Sequence, residues 1–283
     1  MNSFLKEVED TYEDLPESQK RVAKYIINNY EHVAFITLED LSDEIGVSTT
    51  TVIRFARSLG YNGFSNLQEQ IRQIVRAKIS LPERLDNLAN EVEHDEYLLK
   101  SFNNDIDNIN NTLELLNKDK IEQTVEQIIK ANTVFSIGLR SSFSLAYFFT
   151  TTLGQIRENV RLLFSIGAIQ PEEEILNAKP GDVCVAFSFP RYTKLTIEIA
   201  KCLKERGVII IGISDNALSP ISEVADIVLP CKVKGMMFKN SLSAPFSLIN
   251  YLISVISIKD KKRAMEMLSK NEEICRRYEY FSI

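Results

Sequence analysis

The feature that most constrains the fold of this 283-residue chain is an alternation of short apolar runs with helical patterns, which begins at Asn132. Continuous β-rich runs separated by helices are typical of a parallel sheet that is covered by helices on both faces. The sequence therefore predicts a doubly wound, flavodoxin-like α/β domain over residues 120–262, followed by a C-terminal helix over 263–283. The apolar runs are TVFSIG, VRLLF, DVCVAFSF, VIIIGISD and IVLPC.

Residues 1–78 have a different pattern and predict a separate all-α domain. Ser18 is positioned to cap a helix over QKRVAKYIINNY, and a further helix is expected after Ser65. Between them, Thr37 is positioned to cap the helix LEDLSDEI, with Asp40 in the reciprocal position of a capping box. Ser48 is the expected cap of a second short helix, TTTVIRFARSL.

The segment TLEDLSDEIGVSTTTVIRFARSLG fits a helix-turn-helix. Such a motif needs two short helices joined by a tight turn, and its second helix presents polar and basic side chains to base edges. Gly46 permits the turn, Gly60 ends the second helix, and Val52, Ile53 and Ala56 are placed to seat that helix on the first. The outward-facing candidates for DNA contacts are Ser48, Thr49, Thr50, Thr51, Arg54 and Arg57.

The net charge of −6 argues against nucleic-acid binding, because phosphate neutralisation needs Lys and Arg. Locally the balance reverses: residues 37–47 contain four acidic side chains and no Lys or Arg, whereas 48–78 contain five basic and one acidic. Charge alone also fits ordinary solvated helix faces. Three consecutive threonines favour a binding role, because β-branched residues are mediocre helix formers. An αα-hairpin whose Ser48 only caps remains the alternative.

The first domain resembles the N-terminal domain of the RpiR family of bacterial regulators. The likeness runs over residues 15–71 and includes the pattern S-x-x-T-V-x-R-F-x-x-x-L-G-Y-x-G-F. This resemblance implies a transcription regulator that binds double-stranded operator DNA. The residues that carry the pattern are Ser48, Thr51, Val52, Arg54, Phe55, Leu59, Gly60, Tyr61, Gly63 and Phe64.

Residues 79–119 predict a helical connector between the two domains. The stretch is acidic and rich in Asn, and it continues as one long amphipathic helix to about residue 122. Further along, the segment from Leu242 to Ile258 is apolar nearly all round, so we expect a helix that is buried or lies at a subunit interface. The apolar positions of the connector helix are Leu98, Phe102, Ile106, Ile109, Leu113 and Leu116.

Two strand-to-helix junctions of the α/β domain have the chemistry of an anion site. In doubly wound sheets, ligands bind at the carboxyl ends of the strands, where helix N-termini offer unpaired N–H groups. Gly138 allows a close turn in the first junction. For either junction alone, ordinary capping by Ser or Thr is the stronger explanation. The candidate effector-binding residues are Arg140, Ser141, Ser142, Ser188, Arg191 and Thr193.

Together and in this order, the two junctions resemble the SIS (sugar isomerase) domain that follows the helix-turn-helix in the RpiR family. The likeness covers roughly residues 120–260 and includes the segment SPISEVAD. Ser142 matches the first-loop serine of that family, and Ser188 and Thr193 match the outer residues of its S-x-S-G-x-T phosphate loop. The resemblance implies a small phosphorylated sugar, or another anionic metabolite, as effector.

Three residues depart from the SIS pattern. Pro190 and Arg191 stand where the family usually has Ser and Gly, and Arg140 stands where a second Gly is common. Two features that cradle phosphate are therefore replaced, and two cations are gained. An anionic ligand remains the expectation, held in a different way.

These features predict a ligand-responsive transcription regulator rather than an enzyme. Sugar-phosphate isomerisation needs groups with pKa values near neutrality, and both histidines, His32 and His94, lie outside the α/β domain. The alternatives are an isomerase, or a DNA-binding protein whose SIS-like domain only oligomerises. We expect a homodimer or homotetramer, in which the effector changes the spacing of two recognition helices.

Cysteine spacing and hydropathy disfavour several other classes. The cysteines lie far apart with no C-x-x-C spacing, so we expect reduced thiols, no metal site and no cofactor. The first residues are acidic and lack the apolar core of a secretory signal, and no apolar stretch predicts a membrane span. We therefore expect a cytoplasmic protein without membrane contact.

Overall fold

A computed structural model shows the architecture of the chain and describes residues 8, 11–12, 15–34, 36–78, 82, 96–163, 171–216, 219–236 and 238–279. The chain divides into two compact units, Met1–Glu83 and Arg84–Ile283. Each unit has a hydrophobic core of its own.

The described part of the N-terminal unit is helical, as predicted. Its core includes the fully buried side chains of Val22, Ile26, Leu41, Phe55 and Leu67. These side chains come from all four helices, so the unit is one packed domain rather than a string of separate helices. The helices are α1 (Glu17–Val33), α2 (Leu38–Ile45), α3 (Thr49–Ser58) and α4 (Phe64–Lys78).

Side-chain caps start α2 and α3, as predicted. The Thr37 hydroxyl accepts a hydrogen bond from the Asp40 N–H at 3.1 Å, and the Ser48 hydroxyl accepts one from the Thr51 N–H at 3.2 Å. The Thr37 hydroxyl also donates to the Asp40 carboxylate at 2.7 Å, so the reciprocal contact joins the two side chains. Both short helices therefore begin where the sequence places them.

The predicted cap at Ser18 is wrong. α1 begins at Glu17, after Pro16 in an extended conformation (φ −58°, ψ 151°), so Ser18 lies inside the first turn. The Pro16 carbonyl accepts hydrogen bonds from the N–H groups of Gln19 and Lys20 at 2.8 and 2.9 Å. Proline has no N–H that would need a partner, and a helix can begin directly after it. α4 likewise begins earlier than predicted, at Phe64.

The C-terminal unit contains the predicted doubly wound fold. Its five strands pair in parallel in the order β2-β1-β3-β4-β5. The strands are β1 (Val134–Gly138), β2 (Val160–Leu163), β3 (Val183–Phe187), β4 (Ile209–Ser214) and β5 (Ile227–Pro230). The helices are α5 (Tyr97–Leu115), α6 (Lys118–Lys130), α7 (Phe143–Gly154), α8 (Pro171–Asn177), α9 (Lys194–Glu205), α10 (Ser243–Lys259) and α11 (Lys261–Arg277).

Alternate residues of the strands supply two cores, one on each face of the sheet. Val185 and Phe187 pack in the cluster that includes α7 and α10, whereas Cys184 and Ala186 pack in the cluster that includes α9. This is the reason that the strand sequences are continuously apolar. All four cysteines are free, and burial raises the pKa of the Cys184 thiol to about 12.

The predicted long helix of the connector is two helices in the structure. α5 ends at Leu115, and the Asn117 side chain caps α6 by accepting hydrogen bonds from the N–H groups of Asp119 and Lys120 at 2.9 and 3.1 Å. A short polar side chain at a cap competes with the continuing helix. Leu116 lies in this break and packs against the core of the unit.

α10, which is apolar nearly all round in sequence, is buried along most of its length. Neither α10 nor any other helix in the described ranges combines the length and hydropathy that a bilayer crossing requires. The helix therefore belongs to the core of the domain. Its buried residues are Ala244, Pro245, Leu248, Ile249, Leu252, Ile253 and Ile256.

Candidate DNA interface and effector site

The connection between α2 and α3 is the tight turn of a helix-turn-helix. Gly46 adopts a left-handed conformation (φ 69°), and the Val47 N–H bonds to the Ser42 carbonyl at 2.9 Å. On α1, Arg21 donates from Nη2 to the Ile45 carbonyl at 2.5 Å. The left-handed glycine reverses the chain at the end of α2, and the arginine ties the turn to α1.

The predicted DNA-contacting residues lie at the start and along one side of α3. Of these six, Ser48, Thr50, Arg54 and Arg57 are exposed, and Thr49 and Thr51 are half-buried. The hydroxyls of Ser48 and Thr51 are 2.9 Å apart, in addition to the cap bond between them. Because these two hydroxyls are already engaged with each other, Thr50 and Arg54 are better placed to contact DNA.

Ile53 departs from its predicted role. It is half-buried and lies outside the core to which Val52, Phe55 and Ala56 belong. Its spacing places it on the same side of α3 as Thr50 and Arg57, three residues before and four after. An apolar side chain there can contact a thymine methyl.

Part of the basic segment that follows α3 has a structural role. Arg72 donates from Nε to the Ala34 carbonyl at 2.6 Å and from Nη2 to Gln68 Oε1 at 2.9 Å. Gln68 in turn donates to the carbonyls of Val33 and Ile36 at 3.0 and 2.6 Å. The local excess of positive charge therefore overstates the number of cations available to DNA.

His32, near the end of α1 in the N-terminal unit, is the one histidine among the described residues. His32 Nε2 lies 3.1 Å from Glu44 Oε1, and Tyr25 also bonds to this carboxylate. Hydrogen bonds from Tyr25 and His32 hold the pKa of Glu44 below its ordinary value. His94 lies outside the described residues. The described residues contain no group of three or more His, Cys, Asp or Glu that could hold a metal ion.

The two predicted effector junctions meet at one edge of the sheet. β1 and β3 are neighbours, and Gly138 at the end of β1 pairs with Phe187 at the end of β3. The strand order reverses between them, since β2 continues from β1 on one side and β4 from β3 on the other. Such a switch point at the carboxyl ends is where doubly wound sheets bind ligands.

Arg140 and Arg191 adopt left-handed backbone conformations, with φ of 57° and 68°. Both side chains are exposed. A non-glycine residue in this region costs on the order of 1 kcal/mol or more and persists where the surroundings over-determine it. The loops thus keep the backbone that glycine adopts easily and add a guanidinium to each. Gly138 has a different constraint, because a Cβ there would collide with the Ser142 carbonyl.

Helix capping does not account for the hydroxyls of these junctions. Ser142 is buried and precedes α7, and Thr193 is half-buried and precedes α9, yet neither side chain makes a cap hydrogen bond. Ser141 is exposed, and its carbonyl accepts from the Ser144 hydroxyl at 2.8 Å. The stronger of the two sequence explanations is therefore wrong for Ser142 and Thr193.

Two buried hydroxyls near the same edge have no hydrogen-bond partner among the described residues. Ser188, which was predicted, follows β3 and is 2% exposed; Ser219, which was not, follows β4 and is 1% exposed. A buried hydroxyl without a partner costs free energy unless a ligand or water satisfies it. The sequence signal for Ser219 was its place in the SPISEVAD segment.

A buried carboxylate links the loops that follow β3 and β4. The Tyr192 hydroxyl donates to Asp215 Oδ1 at 2.8 Å, and Asn216 Nδ2 donates to Asp215 Oδ2 at 2.9 Å. Burial raises the pKa of Asp215, although these hydrogen bonds favour its charged form. Tyr192 follows Arg191, so this pair holds the loop that carries the second guanidinium. Neither Tyr192 nor Asp215 is among the predicted effector-binding residues.

Comparisons with known proteins agree with both units. Residues 2–78 match the helix-turn-helix domain model of the rpiR family, and residues 127–255 match the SIS domain model. HexR, an HTH-type transcriptional regulator of Pseudomonas aeruginosa, is 25% identical over 235 residues, which cover 81% of this chain and 79% of HexR. The HexR of Escherichia coli is 24% identical over 231 residues, or 82% of this chain and 78% of that protein.

Solved structures show the same fold. The sugar isomerase domain of an RpiR transcription factor from Sphaerobacter thermophilus is 27% identical, with a TM-score of 0.60 over 63% of this chain and 99% of that one. The NanR protein of Vibrio vulnificus is 18% identical, with a TM-score of 0.58 over 97% of this chain and 98% of that one.

A helix-turn-helix unit and a SIS unit in one chain define a class of transcription regulator. The chain combines a helix-turn-helix domain of the rpiR family with a SIS domain, as its sequence motifs imply.

Proposed function

We propose that this regulator binds double-stranded operator DNA through α3. The observation that carries this proposal is the exposure of Thr50 and Arg54 on a capped helix whose opposite side is sealed by Val52, Phe55 and Ala56. Arg can bind a guanine edge or a phosphate, and Thr can bind either as well. The threonines lie in the first turn of α3, and the N-terminal residues of a recognition helix are the ones that contact base edges.

The effector that we propose is a small phosphorylated sugar, bound at the carboxyl ends of β1 and β3. The guanidinium groups of Arg140 and Arg191 offer bidentate contacts to a phosphate, and Ser142, Ser188 and Thr193 offer hydroxyls. NanR, which has the same fold, was solved in complex with ManNAc-6P. In the present chain the arginines would replace contacts that small residues make in the usual phosphate loop.

The proposed mechanism is regulatory rather than catalytic. Two copies of the chain, as a homodimer or within a homotetramer in the cytoplasm, would place two α3 helices at half-sites about one helical turn apart. Effector binding would change how the sensor domains pair, and therefore the spacing of those helices. The effector must bind the two states with different affinity for this to work.

Fluorescence anisotropy tests the DNA part of the proposal. The probe is a duplex selected by the full chain from a random library, and its affinity should fall linearly on a log–log scale with salt. Failure to enrich any duplex would reject DNA binding through this domain.

The effector part is tested by titrating aldose and ketose 6-phosphates, ManNAc-6P among them, into the DNA complex. The unphosphorylated sugars and inorganic phosphate are the controls. A phosphorylated sugar should change the duplex affinity at a concentration at which both controls do not. Binding that responds to none of them rejects this effector class, and turnover of a sugar phosphate by the purified chain would instead favour an isomerase.

A further inference from the structure

α5 turns its apolar side chains to solvent. The exposed fractions are 68% for Leu99, 65% for Phe102, 53% for Ile106 and 72% for Leu113. An amphipathic helix of a globular domain ordinarily packs such residues against the core. In α5 the apolar side is exposed instead, and the buried residues are the polar Asn108 and Thr112. The exposed set, which we name the α5 seam, consists of Leu98, Leu99, Phe102, Ile106, Ile109 and Leu113.

The polar side of α5 is bound to the domain at specific points. Asn104 and Asn108 each donate from Nδ2 to the Lys234 carbonyl at 2.7 Å. The carboxylate of Asp105 accepts from the hydroxyls of Ser241 and Ser243 at 2.5 and 2.7 Å. A rotation of the helix that buried the seam would break these bonds.

Thr112 extends this attachment toward the end of the helix. Its Oγ1 accepts from the Lys232 N–H at 2.8 Å, and Asn108 Oδ1 accepts from the Lys234 N–H at 3.0 Å. These are backbone donors of the chain that follows β5, the edge strand of the sheet in the described residues. The domain itself therefore sets the outward orientation of the seam.

The spacing of the seam is that of helix-to-helix packing. From Leu99 the apolar residues follow at intervals of three, four, three and four, through Phe102, Ile106 and Ile109 to Leu113. This is the a/d repeat of two helices that pack side by side. Asn103 and Asn110 border the seam on one side, and Asp105, which borders it on the other, is bound by the hydroxyls of Ser241 and Ser243.

The area of the seam approaches that of one side of an interface. At about 200 Å² for a large apolar side chain, six residues between 38% and 74% exposed leave roughly 700 Å² in water. Monomeric proteins rarely expose contiguous apolar patches of this size. A standard interface buries about 800 Å² per partner.

We infer that the α5 seam binds the same seam of a second copy of this chain around a two-fold axis. A self-complementary apolar stripe fits an isologous contact, in which both copies use one patch. This inference locates the interface of the homo-oligomer in the proposed function, and it rests on that proposal only for the existence of the oligomer. DNA binding and effector binding stand or fall on separate measurements.

Sedimentation of the full chain tests the inference with Ile106→Glu. Asn111→Glu is the matched control, because Asn111 is exposed on α5 away from the seam. The wild type and the control should have at least twice the 32.3 kDa chain mass. Ile106→Glu should weaken self-association by at least about 100-fold, because the carboxylate would be buried without a partner. Since Ile106 is exposed in the single chain, the helical content of Ile106→Glu, measured by far-UV circular dichroism, should stay that of the control.

Cross-linking with a short bismaleimide gives a second readout. In a chain with Cys202→Ser and Cys275→Ser, Ile106→Cys should form a covalent dimer and Asn111→Cys should not. A monomeric wild type, an unchanged mass for Ile106→Glu or equal cross-linking of the two cysteine variants would overturn the inference. If a monomeric Ile106→Glu still binds DNA, the inference about the seam stands, and the result counts against operator binding by a dimer.

Discussion

At the scale of single residues, Arg54 is the most informative position for DNA binding. It is exposed on α3 beyond the capped first turn, where it can reach a base edge or a phosphate. We expect Arg54→Ala to weaken operator binding by roughly 1–3 kcal/mol if it reads a base, and less specifically if it contacts a phosphate. Anisotropy against the selected duplex and against a scrambled one separates the two cases.

Arg161→Ala is the control for Arg54→Ala, because Arg161 is an exposed arginine of the other unit that pairs with Glu174. Equal affinities for all three proteins would remove Arg54 from the contacts.

Ser142 and Arg191 test the effector site together, one in each junction. The double variant Ser142→Ala with Arg191→Ala should abolish the effect of the phosphorylated sugar on DNA affinity, because it removes a buried hydroxyl from one junction and an exposed guanidinium from the other. DNA affinity without the sugar should stay unchanged. Lys201→Ala, exposed on α9, is the control for lost positive charge. A normal response in the double variant contradicts the site assignment.

Asp215 should make the free energy of unfolding depend on pH. Burial raises its pKa in the folded state above the unfolded value of about 3.9. The folded state then binds the proton more readily, so the ionised carboxylate lowers stability at neutral pH, and this penalty disappears as pH falls through the folded pKa. Asp215→Asn keeps an acceptor for Tyr192 without the charge.

The difference in free energy of unfolding between Asp215→Asn and the wild type should therefore favour the variant most at neutral pH and shift toward the wild type below the folded pKa. Urea unfolding across pH measures it. A difference that does not vary with pH would show that desolvation of the carboxylate is not the cause.

At the scale of elements, the turn between α2 and α3 depends on Gly46. An L-residue with φ near 69° is strained by about 1–2 kcal/mol, and a Cβ there would lie 3.2 Å from Arg21 Nη2. Gly46→Ala should lower the free energy of unfolding of the N-terminal unit by that amount, as measured by urea unfolding. Gly63→Ala is the control, since a Cβ there meets nothing within 4 Å. Equal stability of both variants would contradict this account of the turn.

The helices show why amphipathic pattern predicts an element better than it predicts its partner. Periodicity placed α2 and α3 correctly, because their apolar faces pack on α1 and α4 within the same unit. The same kind of pattern predicted the helix of α5 but not its outward seam. A repeat of apolar residues indicates that one face of a helix is covered, but it does not indicate which surface covers that face.

At the scale of the whole molecule, linkage gives a further prediction. If the effector changes duplex affinity by some factor, the duplex must change effector affinity by the same factor. Calorimetric titration of the active sugar phosphate, with and without saturating duplex, measures this factor directly. Unequal factors would mean that the two ligands do not act on a single shared equilibrium.

The candidate effector site was only partly predictable. Ser142, Ser188 and Thr193 could be named because strand ends and loop motifs are local in sequence. Asp215 could not, since it joins the site only through the pairing of β3 with β4, and for Ser219 the only signal was its place in the SPISEVAD segment. Their chemistry comes from burial, which local sequence does not report.

The sequence by itself determined the two domains, the strands and their surrounding helices, and the caps at Thr37 and Ser48. These follow from period, capping chemistry and composition, which act over a few residues. Only the tertiary structure decided which way α5 faces, that Ile53 and Arg72 have other roles, and that Arg140 and Arg191 hold left-handed conformations. Those outcomes depend on contacts between residues far apart in the chain, and no local pattern contains them.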